Sequence, residues 1–238
     1  MQSSSVIFLC HLLRRLQFLF HLERRELRMA NNEKSTLVHD AIALFIITLV
    51  AGVLLGAVYM ITKDPIAQAE EKATNEAYAA VYKDAEFASD DALTQALNSF
   101  QSDVAAGNID ASYTDVELVE ARTASAGGSQ AGYVIKASGK GYGGAVTIAL
   151  GITNEGEVLG IQILDASNET PGLGQNSTKE DWNGQYVGMT ASQTLSVVKD
   201  GSGSKDNGTI NSISGATITS SAVTRTVNVA LKFVASQQ

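Results

Sequence analysis

Ser214-Gly215-Ala216-Thr217-Ile218-Thr219-Ser220, near the C-terminus, is the stretch from which the rest of the chain is read. It sets four hydroxyl residues around a Gly-Ala pair. A helical pattern follows at once, with Ala222, Val223, Val227, Ala230, Leu231 and Val234 on one face. Thr219 or Ser220 is the expected N-cap of that helix. The stretch therefore reads as a tight turn running into a helix N-terminus. Unpaired N–H groups and the helix dipole favour negative charge at such a place. Gly215 admits backbone angles closed to other residues, and Ala216 adds little bulk, so an anionic group has room beside the Thr217 hydroxyl. A plain helix cap and an anion-receiving turn both satisfy these residues.

Composition narrows the chemistry. The chain has 238 residues, 45% hydrophobic and 18% charged, which suits one globular domain plus a membrane segment. The formal net charge of -8 is unevenly spread: six Lys/Arg and four Asp/Glu precede Lys63, and the acidic excess lies after it. An acidic domain without a basic stripe is a poor partner for nucleic acid. The one Cys is Cys10, and the three His are His11, His21 and His39, all at or before the start of the apolar run. The remainder has no means of building Cys-His or Ser-His nucleophile pairs, His-ligated zinc, iron–sulfur clusters or disulfides. No catalytic residue and no metal site is expected, and no loop has the Asp-x-Asp-x-Asp-Gly spacing of a calcium loop. Redox chemistry here requires an organic cofactor.

Ala41 to Thr62 is an uncharged run of 22 residues. At a rise of about 1.5 Å per residue it spans a hydrocarbon core of roughly 30 Å. Lys63-Asp64-Pro65 closes the run, and Gly52/Gly56 form a G-x-x-x-G pair that fits either a packing face or ordinary tolerance of glycine in membrane helices. Lys34 on one side, with Asp64, Glu70 and Glu71 on the other, predicts a cytoplasmic N-terminus and an external domain. Residues 1–28 read as leader from an over-long gene start, not translated in the native protein, ahead of an ordinary start at Met29-Ala30-Asn31-Asn32. The expected division is 1–40 cytoplasmic N-terminus, 41–62 transmembrane helix, 63–100 helical membrane-proximal segment and 101–238 globular domain.

Within 63–238 the patterns are local. Pro65 to Tyr82 is Ala/Glu-rich with helical spacing and Pro65 in its first turn, and Asp90 to Phe100 is a second helix. Asn108 to Ala124 begins the sheet, with Val116, Leu118 and Val119 apolar. Gly127-Gly128 is a turn, Tyr133–Lys136 and Ala145–Ile152 alternate as strands, and Asn154-Glu155-Gly156 turns into a strand over Val158–Leu164. Asp165 to Lys179 is a long polar loop. Trp182 and Tyr186 sit on a short helix, with Trp182 read as core or surface cover, Leu195–Val198 is a strand, and Asp200–Gly208 is a flexible approach to Ser214. The predicted class is α+β: a single N-terminal transmembrane helix followed by a twisted antiparallel sheet with flanking helices.

Ser214-Gly215-Ala216-Thr217 resembles the flavinylation motif of bacterial FMN-binding domains, Glu169-Thr170-Pro171-Gly172-Leu173-Gly174 resembles the family's second signature loop, and Gly141-Tyr142-Gly143-Gly144 resembles its glycine-rich segment. Their order and spacing fit over residues 40–236. The likeness extends to the G-type component of Rnf-type ion-translocating electron-transport complexes, with the C-type component of sodium-translocating NADH:quinone oxidoreductase as near cousin. The resemblance implies FMN held covalently through a phosphoester to Thr217. It implies flavin contacts from Ser214, Gly215, Ala216, Glu169, Thr170, Gly172, Leu173, Tyr142, Gly143 and Gly144. A separate flavin transferase would attach the group from FAD with Mg²⁺, and other membrane and redox subunits would be the partners. The implied role is electron relay within a ferredoxin:NAD⁺ oxidoreductase of the bacterial cell membrane rather than stand-alone catalysis. The quinone-reductase version and a membrane-tethered flavin sensor are the alternatives. Asn211 departs from the motif, which often has Asp there.

Overall fold

The computed structural model describes residues 3–238, with side chains from Val38 onward. The reading of residues 1–28 as leader therefore lies outside the described side chains. Two compact units divide the chain, one up to Ala67 and one from Gln68 to Gln238. Helix α1 (Ser3–Val81) carries, over Val38–Val81, the one stretch among the described residues long and apolar enough to cross a membrane. Thr48 and Thr62 return their hydroxyls to the carbonyls of Leu44 and Val58, which satisfies them without water. The helix continues through Pro65 instead of restarting there. Proline removes one backbone donor, and good helix formers on both sides carry the helix past it.

The second unit is built on a five-stranded antiparallel sheet. Its strands are β1 (Glu86–Ala88), β2 (Val116–Ala126), β3 (Ser129–Lys140), β4 (Ala145–Thr153) and β5 (Val158–Asp165), neighbours in chain order. The two-residue turn Gly127-Gly128 has positive φ at both positions, as a tight hairpin requires. The apolar run in β2 is broken by a bulge between Leu118 and Glu120. Val119, 46% exposed, follows the alternation of Val116 and Leu118, and the extra residue then shifts the side-chain phase so that Ala121 is buried with Leu118. Strand β1 has only three residues and no apolar alternation, which left it inside the expected helical segment.

Helices cover the sheet on both faces. On one, α2 (Asp91–Ala105) and α4 (Thr217–Ala235) pack Leu93, Leu97, Val227, Leu231 and Phe233 against Ile135, Ile148, Leu150 and Ile152. Asp90 caps α2 by accepting the Ala92 N–H at 3.0 Å. On the other face the last turns of α1 place Ala77, Tyr78, Val81 and Tyr82 on Ala124, Val134 and Ala149. The approach is close because three strands offer glycine there: a Cβ on Gly132 would stand 2.9 Å from the Tyr82 ring, one on Gly160 2.8 Å from Val81 Cα, and one on Gly151 would overlap the Val81 carbonyl. Tyr78 donates to Glu120 at 3.0 Å, and burial pushes its phenol far above the usual range. A short parallel pair, β6 (Ser196–Val198) and β7 (Thr209–Asn211), leads into α4. Trp182, on α3 (Glu180–Asn183), is buried and donates to the Asn211 carbonyl at 2.7 Å.

Candidate functional site

Three loops meet at the start of α4, and each forms for a local reason. Gly215 has φ +76°, and the turn closes with the Ala216 N–H on the Ile213 carbonyl at 2.9 Å. The helix begins at Thr217, with Ala216 as N-cap and no side-chain cap bond. Thr219 and Ser220 are therefore not the caps. Their hydroxyls point into the protein instead, because neighbouring elements bury both positions. Ser220 accepts the Ile213 N–H at 2.9 Å and donates to the Ala216 carbonyl at 3.0 Å, which locks the turn. Thr219, 1% exposed, donates to Glu169 Oε2 at 2.5 Å. Among the described residues, no hydrogen bond engages the amides of Thr217, Ile218 or Thr219.

The second loop is a proline turn. Leu173 N–H donates to the Thr170 carbonyl at 3.1 Å across Pro171-Gly172, and Gly172 has φ +75°, so this is the Pro-Gly turn that needs glycine at its third position. At the loop's start, the Ser167 N–H and hydroxyl hold the Asp165 carboxyl below the usual carboxylate range. The third loop, Gly141–Gly144, is pressed onto the second. A Cβ on Gly143 would overlap the Asn168 carbonyl, and one on Gly144 would come within 2.6 Å of the Asn168 side chain.

Together they enclose a cleft of about 500 Å³, within the roughly 300–1,000 Å³ range of small-molecule sites. Of the residues singled out in the sequence, Tyr142, Glu169, Thr170, Leu173, Gly215, Ala216 and Thr217 line it. Ser214, Gly172, Gly143 and Gly144 do not: Gly172 makes the turn behind Leu173, Gly143 and Gly144 allow the loops to touch, and Ser214 faces solvent. Gly174, Ile218 and Thr219 also line the cleft and were not anticipated. For Gly174 the last letter of the Glu169–Gly174 motif was the available signal; for Ile218 and Thr219 there was none, because the expected helix start lay too late. The walls are apolar at Tyr142, Leu173 and Ile218, each exposed toward the opening. No Lys or Arg is among the lining residues, so negative charge bound here would meet helix amides rather than a cation.

Asn211, the departure from the motif, works inside the fold. Its Oδ1 accepts the Gly203 N–H at 2.8 Å and its own N–H donates to Gln185 Oε1 at 2.9 Å. These bonds, with the short helical turn Lys205–Asn207, order the expected flexible approach of Asp200–Gly208. Beneath α4, Tyr186 and Thr224 share a hydrogen bond of 2.7 Å, and burial raises the Tyr186 phenol.

The second unit is an α+β domain in which an uncapped helix start, a half-exposed threonine and the apolar side chains of Tyr142, Leu173 and Ile218 share one cleft, an arrangement with room for an anionic group at the helix start. Residues 141–232 match the FMN-binding domain family. The chain is similar to the G component of the proton-translocating ferredoxin:NAD(+) oxidoreductase complex of Clostridium ljungdahlii, 44% identical over 102 residues, covering 43% of this chain and 52% of that one. It is also similar to the G component of the Na(+)-translocating ferredoxin:NAD(+) oxidoreductase complex of Acetobacterium woodii, 40% identical over 117 residues, 49% of this chain and 55% of that one. A third relative is the G component of the ion-translocating oxidoreductase complex of Stutzerimonas stutzeri, 31% identical over 147 residues, 61% of this chain and 62% of that one. The chain thus spans about half the length of the curated relatives it matches first. Among solved structures, the C component of the Na(+)-translocating NADH-quinone reductase of Parabacteroides distasonis aligns with a TM-score of 0.42 at 18% identity, over 62% of this chain and 96% of that one. NqrC of Shewanella oneidensis aligns with a TM-score of 0.40 at 20% identity, over 49% and 59%.

Proposed function

We propose that the cleft holds FMN joined by a phosphoester to Thr217, and that the chain is the membrane-anchored, electron-relaying G component of an Rnf-type ferredoxin:NAD⁺ oxidoreductase. The observation that carries this reading is the division of labour among the hydroxyls at the start of α4: Thr219 and Ser220 are buried and hydrogen-bonded, whereas Thr217 is half-exposed in the cleft. The residues fit the group. The uncapped first turn of α4 would receive the phosphate charge, Tyr142, Leu173 and Ile218 would give apolar contact to a ring, and Thr170 would offer a hydroxyl to its polar groups.

A bound flavin would supply one- and two-electron exchange to a domain whose sequence after Lys63 has neither Cys nor His. Attachment by a flavin transferase, with FAD and Mg²⁺, replaces the Thr217 O–H bond by an O–P bond to the FMN-side phosphorus. The pyrophosphate bond to AMP breaks, AMP leaves, and the hydroxyl proton passes to a base of the transferase. One negative charge remains on the phosphoester, beside the free helix amides. The boundaries 1–40, 41–62, 63–100 and 101–238, a cytoplasmic N-terminus and an external FMN domain complete the reading, with membrane and redox subunits of the complex as partners. The test is co-expression of the full chain with a flavin transferase, then in-gel flavin fluorescence under denaturing conditions and peptide mass mapping. One FMN on the peptide containing Thr217 supports the proposal; no flavin, or flavin elsewhere, refutes it.

A further inference from the structure

We propose that Glu169 is the positioning residue of the cleft: its carboxylate ties the Gly141–Gly144 loop and the first turn of α4 to the Glu169–Gly174 loop, and so fixes the spacing of the walls. The residue is 2% exposed, yet each of its oxygens has a protein donor. Oε1 accepts the Gly143 N–H at 2.9 Å, and Oε2 accepts the Thr219 hydroxyl at 2.5 Å. The two donors lie 26 residues before Glu169 and 50 residues after it.

The chain is shaped around this side chain. A Cβ on Gly141 would collide with Oε1 and one on Gly174 with Oε2, so both loops reach the carboxylate only as glycine. A buried carboxylate is unfavourable unless each oxygen is paired, and pairing to a backbone N–H and a hydroxyl is the strong, charge-assisted kind. The tie has a second effect: Thr219 is occupied as a donor to Glu169, which leaves Thr217 as the hydroxyl of that turn open to the cleft. With each oxygen tied to a different segment and the side chain 2% exposed, Glu169 acts on a ligand chiefly through the walls it joins.

For the flavin this inference rests on the FMN reading; for the walls it stands on the unloaded chain, and the test separates the two. In the unloaded full chain in detergent, hydrogen exchange of the 141–145 peptide should quicken by about fivefold or more in Glu169→Ala, because the Gly143 N–H loses its acceptor. Glu169→Gln should restore the slow rate, since an amide oxygen accepts that N–H and the amide nitrogen donates to the Thr219 oxygen. In the loaded chain, iodide quenching of flavin fluorescence should rise several-fold in Glu169→Ala and return toward the wild-type value in Glu169→Gln. Exchange and quenching both unchanged in Glu169→Ala, or Glu169→Gln behaving like Glu169→Ala, overturns the proposal. If Glu169→Ala does not fold, Thr219→Val removes one tie with little change of volume: increased quenching supports the proposal and wild-type quenching overturns it. A wild-type chain that takes no flavin defeats the FMN reading, and the exchange measurement still decides the tie.

Discussion

Thr217→Ala separates attachment from stability. Thr217 is the first helical residue of α4 and is half-exposed. Replacing Thr by Ala gains up to roughly 0.7 kcal/mol of helix propensity. It loses part of one methyl group's burial, about 0.4 kcal/mol if a fully buried methylene is worth about 0.8. The net effect should lie within about 0.5 kcal/mol of zero. Thr219→Ala, two residues on, should behave in the opposite way. It leaves Glu169 Oε2 buried without its donor, which costs about 1–3 kcal/mol, and deletes a buried methyl worth about another 1. Urea unfolding of flavin-free protein measures both, since bound flavin would add its own stabilisation. After co-expression with a flavin transferase, intact mass and in-gel fluorescence measure attachment. Thr217→Ala should carry no covalent flavin and unfold like wild type; Thr219→Ala should be destabilised by roughly 2–4 kcal/mol. An FMN adduct retained by Thr217→Ala would falsify the assignment. A loss of more than about 2 kcal/mol in Thr217→Ala would make the residue structural instead.

Leu173→Ala removes an apolar wall of the cleft, so attachment should persist while flavin absorption and redox potential shift; an unchanged spectrum and potential would place the ring elsewhere. Phe233→Ala, wholly buried against Phe100 at a ring-centroid distance of 5.5 Å, should cost about 3–5 kcal/mol by urea titration, far more than any wall substitution that stays exposed. Protease added to intact spheroplasts should digest the chain beyond Lys63; protection until the membrane is broken would reverse the proposed orientation.

Features with local causes were legible in the residues alone. The uncharged run from Ala41 to Thr62, the glycine pair at 127–128, the turn at Asn154–Gly156 and the alternation in 145–152 each follow from residues a few positions apart. The three motif segments were visible in the same way, although not the fact that they share one cleft. What depends on partners distant in the chain took shape only on folding. The start of α4 moved from the Thr219–Ser220 region to Thr217 because those hydroxyls satisfy Glu169, Ile213 and Ala216 in the interior, and no spacing rule announces such partners. Ala121 is buried on the same side as Leu118, three positions on, because a bulge, set by pairing with β3, shifts the phase of its strand. Gly132, Gly151 and Gly160 look like weak points in their strands until Val81 and Tyr82 are seen against them. Glu169 looked like one polar residue of a loop. Its place under two glycines and between two donors exists only after the chain has closed, since it joins segments 26 and 50 residues away, and local pattern carries no information on contacts of that range.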